Sequence, residues 1–352
     1  MEATEDFTGA GTVRAGYEID ADRLTHWCEQ NLEGFHGPLR IEQFRGGQSN
    51  PTYKLATPEV LYVLRRKPPG QLLKGAHAIE REAHVMAALQ GRYPTPRIYA
   101  LCEDPTVVGT PFFIMSHVEG RIFWDVRFPQ IDAASRPAYF EAMNETIATL
   151  HCLDYRALGL SGFGRPENYM RRQIERWSKQ YWADSEAGRD ANMDRVVEWL
   201  PKHVPAEQPA SIVHGDLRVD NLVFHPTEPR VSAVLDWELA TVGDPLVDFT
   251  YHAMMYRMPP MAIAGLLGED LGRLNVPAEH EYVSSYCHRT TRQGIPDLNF
   301  YMAFNLFRLA AIFHGIKGRM LRGTAVSTRA GALANAVPRI AELAWEQASR
   351  VI

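Results

Sequence analysis

The motif that most restricts the fold of this chain lies in SIVHGDLRVDNLVFH, at residues 211–225. An apolar, β-branched run ends at a His-Gly-Asp turn, and an Asn follows five residues after the Asp. Asp216 and Asn221 therefore lie on a loop between two short predicted strands, Ser211–Val213 and Leu222–Phe224. Fold stability does not require this arrangement. A site that holds a divalent cation and accepts a proton from a hydroxyl does require such groups.

A third oxygen-bearing side chain, Asp236, ends the predicted strand in VSAVLDWE. A strand that ends in Asp beside a loop with Asp and Asn can gather three oxygen groups at one point. Mg²⁺ takes oxygen ligands, usually one or two carboxylates together with substrate phosphates. We therefore predict that Asn221 and Asp236 hold Mg²⁺, and that Asp216 orients and deprotonates an attacking hydroxyl. Each fragment alone is also compatible with a turn or a strand-end cap, but their combination favours the site.

Length and composition are typical of a soluble protein with two lobes. The chain has 352 residues, more than a single core usually includes. Hydrophobic residues make up 45% and charged residues 22%, both ordinary values for globular proteins. The net charge of −5 provides no basic field, so we do not expect a nucleic-acid partner.

Cysteine usage and hydropathy suggest a cytoplasmic location. The four cysteines show no CxxC spacing, which is typical of a reducing compartment and offers neither a zinc site nor a disulfide framework. No apolar run approaches the roughly 18 residues that span a bilayer, so we expect no membrane partner. The acidic N-terminus lacks the pattern of a secretory signal, and we expect its first ~15 residues to be poorly ordered. The sequence does not indicate an oligomeric state.

The periodicity of the chain changes near residue 121, from β-rich to helical. We predict an α+β fold with two lobes: residues 1–117 form a small nucleotide-binding N-lobe, and residues 118–352 form a larger helical C-lobe with the catalytic loop and substrate site. Predicted strands cover 39–44, 52–55, part of 59–70, 112–120, 211–213, 222–224 and 231–235. Predicted helices cover 20–32, 76–89, 136–153, 170–182, 194–200, 282–291, 299–317 and 331–348.

Three motifs together resemble a known family: HGDLRVDN, LDWE and the GDPLVD of residues 243–248. They are similar to those of the aminoglycoside phosphotransferase and choline kinase-like branch of the protein-kinase-like fold, where HGDxxxxN replaces HRDxxxxN and the later Asp acts as the DFG aspartate. More narrowly, GGQSNPTY, YVLRRKPPG, EGRIFWD and HGDLRVDN resemble the phosphotransferase portion of some acyl-CoA dehydrogenase fusion proteins. The resemblance implies a two-lobed kinase-like fold that uses ATP or GTP with Mg²⁺ and phosphorylates a small-molecule hydroxyl.

The resemblance also implies nucleotide-binding residues in the first third of the chain. Backbone N–H groups of Gly46, Gly47 and Ser49 would lie over nucleotide phosphates, although a Gly-Gly hairpin is also an ordinary turn. Arg65 stands where kinases carry a phosphate-pairing Lys, and the alternative is an exposed strand cation. The neighbouring Arg66 must point to the other face of the sheet.

Three further positions follow from the same resemblance. Glu82 is the predicted helix carboxylate that pairs with Arg65, and Glu80 is its competitor. Met115 and His117 lie where the family's hinge offers backbone groups to the nucleotide base.

In the C-lobe, Arg218 is predicted to offset charge on the transferred phosphoryl group, or else to form a surface salt bridge. We expect His214 to pack under the loop, and Asp244 and Asp248 to accept backbone N–H groups. The helix in residues 168–182 combines an apolar face with several bases, which form a solvated face or contact an anionic substrate such as an acyl thioester.

We predict a small-molecule kinase. One alternative is a protein kinase, which the missing Ala-Pro-Glu segment argues against. The other is a catalytically silent nucleotide-binding regulator, which has no need of Asp216.

Overall fold

The computed structural model describes residues 9–45, 50–70, 78–260, 265–324 and 330–351. The chain forms two compact units. The first contains residues 1–121 together with the later segments 223–226 and 232–240, and the second contains 122–222, 227–231 and 241–352. The assignment of separate roles to residues 1–117 and 118–352 stays a prediction.

A six-stranded sheet organises the first unit, with strand order β1-β2-β3-β4-β6-β5. Its strands are β1 Ala10–Gly11, β2 Arg40–Phe44, β3 Thr52–Ala56, β4 Leu61–Arg66, β5 Ile98–Cys102 and β6 Phe112–Ser116. The predicted strands at 39–44, 52–55, 59–70 and 112–120 are confirmed. β5 was not predicted, because Pro94 and Pro96 just before it indicate a loop.

The expectation of disorder through residue 15 was wrong in part. Ala10 and Gly11 pair antiparallel with Phe44 and Gln43 of β2, because an edge strand offers unpaired backbone groups to a nearby segment.

Helices α1 Ala21–Asn31, α2 Ile79–Leu89 and α3 Pro105–Val108 complete the first unit. Asp20 caps α1 by accepting a hydrogen bond from the Arg23 N–H. The core joins α1 to the sheet through residues such as Leu24, Cys28 and Tyr53. α2 buries one charged side chain, Glu82, together with its apolar face, and a buried carboxylate requires a partner.

Helices dominate the second unit. They are α4 Arg136–Cys152, α5 Tyr169–Ala183, α6 Ala191–Trp199, α7 Pro245–Ala253, α8 Leu271–Leu274, α9 Glu279–Arg289, α10 Leu298–Leu321 and α11 Ala330–Ser349. α10 is buried over most of its surface and packs along α11. No helix in the described ranges has both the length and the apolar character needed to cross a membrane.

Five short strands interrupt the later chain. β7 Arg121–Ile122, β9 Leu222–Phe224 and β10 Val231–Val234 form a sheet of order β10-β9-β7, and β8 Ser211–Val213 pairs antiparallel with β11 Thr241–Gly243. The predicted strands at 211–213, 222–224 and 231–235 are confirmed.

His252, on α7, is a buried neutral base. Its Nδ1–H donates to the Leu217 carbonyl over 3.2 Å, and its Nε2 accepts from the Tyr282 hydroxyl over 2.7 Å. Burial lowers the pKa of His252 to about 4, although the Leu217 hydrogen bond and Asp248 oppose this shift. The imidazole is therefore uncharged in the folded protein at neutral pH.

We expect His252 to make the fold acid-sensitive. The unfolded chain binds a proton at His252 below about pH 6.5, which the folded chain does not bind until about pH 4, so stability falls as pH falls through this window. Between about pH 7 and pH 5 the loss is about 2 kcal/mol. Urea unfolding at both pH values should show this loss reduced in His252→Asn and retained in the exposed-site control His288→Asn.

Candidate active site

A loop that follows β8, residues 214–221 (the HGD loop), is held by one buried carboxylate. The N–H groups of His214 and Gly215 donate to the two oxygens of Asp248, over 2.7 and 2.8 Å. Gly215 has a φ of 87°, a region that glycine adopts without steric cost. Consecutive N–H groups in this conformation form an anion-binding concavity, and here the anion is a side chain of the protein itself.

Asp248 is fully desolvated, with 1% of its surface exposed. Burial alone would raise its pKa, but the hydrogen bond and charge of His151, with further contributions from His214, hold the pKa of Asp248 below its usual value. His214 is itself buried, and its Nδ1 accepts from the Asp216 N–H. The predictions that Asp248 accepts backbone N–H groups and that His214 packs under the loop are confirmed, as is the prediction that Asp244 caps a helix.

Asp216 interacts with neighbours on the loop and on α7. The Nδ2 of Asn221 donates to the Asp216 carbonyl over 2.8 Å and to its Oδ2 over 3.3 Å. Burial and the charge of Asp216 raise the pKa of the Tyr251 hydroxyl. The Arg218 Nε lies 3.6 Å from Asp216 Oδ1, while its NH2 binds Asp220 over 2.7 Å. The Asp216 side chain remains 24% exposed, so a small hydroxyl can reach it.

The Asn221 side chain has two polar atoms, and only one of them, Nδ2, binds Asp216. Its Nδ2 is committed to Asp216, which leaves the Oδ1 acceptor available as an oxygen ligand. The structure therefore brings Asp216, Arg218 and Asn221 together on one loop.

A second cluster lies in the first unit, around the Arg65 guanidinium. Its NH2 donates to Asp236 Oδ1 over 2.6 Å, and it lies 3.6 Å from Glu238 Oε2. The Arg65 Nε lies 3.0 Å from Glu82 Oε2. This last contact has the distance of an ion pair but not the angle of a hydrogen bond. Glu82 also accepts a hydrogen bond from the Trp237 backbone, which ties α2 to the segment after β10.

The structure distinguishes Arg65 from Arg66 and Glu82 from Glu80 by their partners. Arg66 points to the opposite face and donates to the Tyr53 hydroxyl and to the carbonyls of Val108 and Tyr17. Glu80 pairs with Lys67 on the surface of the unit. Arg65 and Glu82 are therefore the pair that belongs to the carboxylate cluster.

The Arg65 cluster carries more negative than positive charge. One guanidinium faces the carboxylates of Glu82, Asp236 and Glu238. Burial and the two other carboxylates raise the pKa of Glu82 to about 7, against the opposing effect of Arg65. Asp236 is the most exposed of the three carboxylates, with 33% of its side chain exposed. Asp236 also has a φ of 65°, a conformation that is uncommon for residues other than glycine and occurs often at functional sites.

The remaining predicted nucleotide-binding positions have other surroundings. Met115 lies within β6, where it pairs with Val63 of β4 and Ile98 of β5. His117 follows the strand, and burial and Lys54 lower its pKa. Gly46, Gly47 and Ser49 lie outside the described residues. Among the described residues, no group of three or more His, Cys, Asp or Glu side chains has the geometry of a metal site.

Two residues at the HGD loop were not predicted from the sequence. Tyr251 interacts electrostatically with Asp216, and Arg308 of α10 donates to the Gly215 carbonyl. Arg308 carried a usable signal, because it is a single cation within the otherwise apolar run NLFRLAAIF. Tyr251 carried none, since an aromatic residue on a buried helix is usually part of the core.

Residues 40–281 match the model of a family described as the phosphotransferase enzyme family. The chain belongs to this family. It is 41% identical over 343 residues to acyl-CoA dehydrogenase family member 10 of Mus musculus, a match that covers 96% of this chain and 32% of the relative. It is 40% identical over 344 residues to acyl-CoA dehydrogenase family member 11 of Homo sapiens, covering 95% and 44%. The chain thus spans a third to just under half of the curated relatives it matches.

Solved structures of phosphotransferases share this fold. A protein from Ralstonia eutropha, provisionally assigned to the aminoglycoside phosphotransferases, is 47% identical with a TM-score of 0.87, covering 95% of this chain and 99% of that one. At 16% identity and a TM-score of 0.58, over 90% of this chain and 97% of that one, an aminoglycoside phosphotransferase in ternary complex with AMP-PNP and hygromycin B shows fold similarity alone. The predicted family and the α+β kinase-like fold are confirmed.

We expect Asp248→Asn to destabilise the HGD loop. An amide has one acceptor oxygen, so one of the two buried N–H groups loses its partner, at a cost of about 1–3 kcal/mol. Asp190→Asn is the control, because the two backbone N–H groups that Asp190 accepts, from Asn192 and Met193, both bind one oxygen, Oδ1. Urea unfolding and amide hydrogen exchange at residues 214 and 215 measure the difference. Equal losses of unfolding free energy and of amide protection in the two variants would contradict the role of Asp248 in holding the HGD loop.

Proposed function

We propose that this phosphotransferase moves the γ-phosphoryl group of ATP to a hydroxyl group of a small molecule, with Mg²⁺. The observation that supports this most directly is the constrained, partly exposed carboxylate of Asp216 on a loop that buried Asp248 holds. Phosphoryl transfer depends mainly on positioning and charge stabilisation, with little covalent chemistry for the protein to perform. A fixed carboxylate with an accessible oxygen suits that requirement.

In this proposal Asp216 orients the acceptor hydroxyl and accepts its proton. The hydrogen bonds from Asn221 to the Asp216 carbonyl and to its Oδ2 restrict the carboxylate. Arg218 is the nearest cation on the same loop, and we assign it to offsetting charge on the transferred group.

We assign nucleotide binding to the Arg65 cluster. Arg65 carries the charge that pairs nucleotide phosphates, and Glu82 fixes its position. Because arginine presents a planar fork, it can contact two phosphate oxygens at once. Gly46, Gly47, Ser49, Met115 and His117 keep their predicted roles toward phosphates and base as part of the same proposal.

The residues that would hold Mg²⁺ are Asp236 and Asn221. Asp236 contributes a carboxylate from a cluster with surplus negative charge, and Asn221 contributes its Oδ1. Held by these residues, Mg²⁺ would supply positive charge that offsets the charge developing on the transferred group. Arg65 holds the Asp236 carboxylate in place through a hydrogen bond.

The acceptor we favour is an anionic or acyl metabolite. The buried face of α5 includes Met170, Ile174, Trp177 and Tyr181, as predicted, and its other positions carry several bases. A basic surface on this helix favours an anionic acceptor over a cationic one.

The main alternative is a nucleotide-binding regulator without catalysis. Such a protein gains nothing from the hydrogen bonds that orient Asp216. Melting temperature with ATP, in the presence and absence of Mg²⁺, followed by an ADP-release screen over hydroxylated metabolites, distinguishes the two. A shift with Mg²⁺-ATP and no ADP release with any acceptor would favour the regulator.

Removing the charge of Asp216 should abolish turnover but not nucleotide binding. Because the proton acceptor acts in the transition state, we expect Asp216→Asn to lower kcat by about 10²–10⁴-fold with little change in KM for ATP. Asp132→Asn, which alters an exposed turn cap, is the control for an Asp-to-Asn change. Steady-state ADP release measures both, and near-normal kcat in Asp216→Asn would contradict the role of Asp216.

The two competing glutamates provide a test of the Arg65 cluster. Glu82→Gln removes the charge that fixes Arg65, so we expect KM for ATP to rise by about tenfold or more. Glu80→Gln removes the same charge two residues earlier on the same helix, where Glu80 pairs with Lys67. This variant should leave KM for ATP nearly unchanged. If the two variants bind ATP equally well, Glu82 does not position a phosphate-binding arginine.

A further inference from the structure

Arg176 and Arg308, both in the second unit, have no carboxylate partner among the described residues. Arg308, on α10, is 7% exposed and makes one hydrogen bond, to the Gly215 carbonyl. Its Nε is buried and has no hydrogen-bond acceptor. Arg176, on α5, makes no hydrogen bond or ion pair within the described ranges and lies over the Trp177 ring. Both guanidinium groups therefore keep donors for another molecule.

Both guanidinium groups lie against the Trp177 ring, with Cζ-to-centroid distances of 5.1 Å for Arg176 and 5.4 Å for Arg308. Although Arg176 is exposed as a residue, partial burial of its guanidinium lowers its pKa, and the positive charge of Arg308 lowers it further. Two cations with no anion between them repel each other, and an anionic ligand would remove this repulsion.

Arg308 connects this arginine pair to the HGD loop. It donates to the carbonyl of Gly215, the residue before Asp216. Its guanidinium also lies 4.6 Å from the centre of the Tyr251 ring, and burial and the charge of Asp216 raise the pKa of the Tyr251 hydroxyl. A ligand held by these arginines would thus lie next to the group assigned to accept a proton.

Burial of an unpaired cation is costly. Packing of Arg308 against two aromatic rings recovers part of that cost through cation–π attraction, but leaves the Nε donor unsatisfied. Buried donors with unmet hydrogen bonds beside a candidate catalytic group are typical of ligand-binding positions.

We propose that Arg176 and Arg308 form an anion subsite that binds a carboxylate or phosphate group of the acceptor molecule. The inference rests on the proposed function and makes it narrower: the acceptor is an alcohol that carries an anionic group, and the arginines orient it with its hydroxyl toward Asp216. Guanidinium groups suit this task because they bind carboxylate and phosphate oxygens in pairs.

The test compares acceptors that differ only in charge. We would measure ADP release by the full chain with a series of ω-hydroxycarboxylates and with the matching diols, in which a CH₂OH group replaces the carboxylate. We expect the hydroxycarboxylates to have at least about tenfold higher kcat/KM.

Arg176→Met is the main variant, because Arg176 is exposed and its loss leaves no buried group unpaired. We expect it to abolish the preference for the hydroxycarboxylate by raising KM for that acceptor, with KM for ATP and turnover of the diol unchanged. Arg308→Lys keeps the charge but loses the planar fork, and should weaken the preference in part. The matched control Arg171→Met removes the same charge from the exposed surface of the same helix, about 140° around it.

Two kinetic results would overturn the subsite. One is an unchanged preference in Arg176→Met. The other is an equal rise in KM for ATP with both acceptors, which would place the arginines on nucleotide phosphate.

A measurement without nucleotide separates this inference from the proposed function. Calorimetry of the nucleotide-free chain with inorganic phosphate should give binding that Arg176→Met weakens by about tenfold and Arg171→Met does not. This result without turnover of any acceptor would retain the anion subsite and reject the kinase. No phosphate binding, or equal weakening in both variants, would reject the subsite even if ADP release occurs.

Discussion

The hydrogen bonds between helix α7 and the HGD loop are the interactions on which the rest of the second unit depends. Asp248 accepts the N–H groups of His214 and Gly215, and His252 donates to the Leu217 carbonyl. Two side chains from one helix thus fix residues on both sides of Asp216. Because buried hydrogen bonds with charged partners are costly to leave unmade, the loop has little freedom to adopt another conformation.

To hold the loop, Asp248 and His252 must each keep one charge state in a buried environment. Asp248 stays ionised although burial opposes ionisation, because His151 and the loop N–H groups stabilise its charge. His252 stays neutral, because the low-polarity interior excludes its charged form. Helix α7 therefore holds one ionised carboxylate, Asp248, and one neutral imidazole, His252. Both restrict the conformation of the loop that carries Asp216.

The two units differ in the charge they leave uncompensated. Around Arg65 the carboxylates exceed the cations, and burial together with the charges of Asp236 and Glu238 raises the pKa of Glu82. Around Trp177 the guanidinium groups of Arg176 and Arg308 have no carboxylate partner in the part of the chain that the structure describes. The first imbalance favours a divalent cation and the second favours an anion. Each is a property of side chains placed together by folding, and each narrows the chemistry that the family membership leaves open.

The sequence by itself determined the main helices and strands, because hydrophobic periodicity and turn residues are local signals. It also determined the family, since the spacing of Asp216, Asn221 and Asp236 is read along the chain. It favoured Glu82 over Glu80 only through the family resemblance, because the two residues share one helix and their partners, Arg65 and Lys67, are known only from the structure.

Only the tertiary structure decided the surroundings of Arg308 and Tyr251. Their partners are far away in sequence, and the cost of burying a charge depends on groups that only folding brings near. For the same reason the structure, and not the motif, showed that Asp248 holds the HGD loop: its carboxylate lies 33 and 34 residues from the N–H groups that it binds.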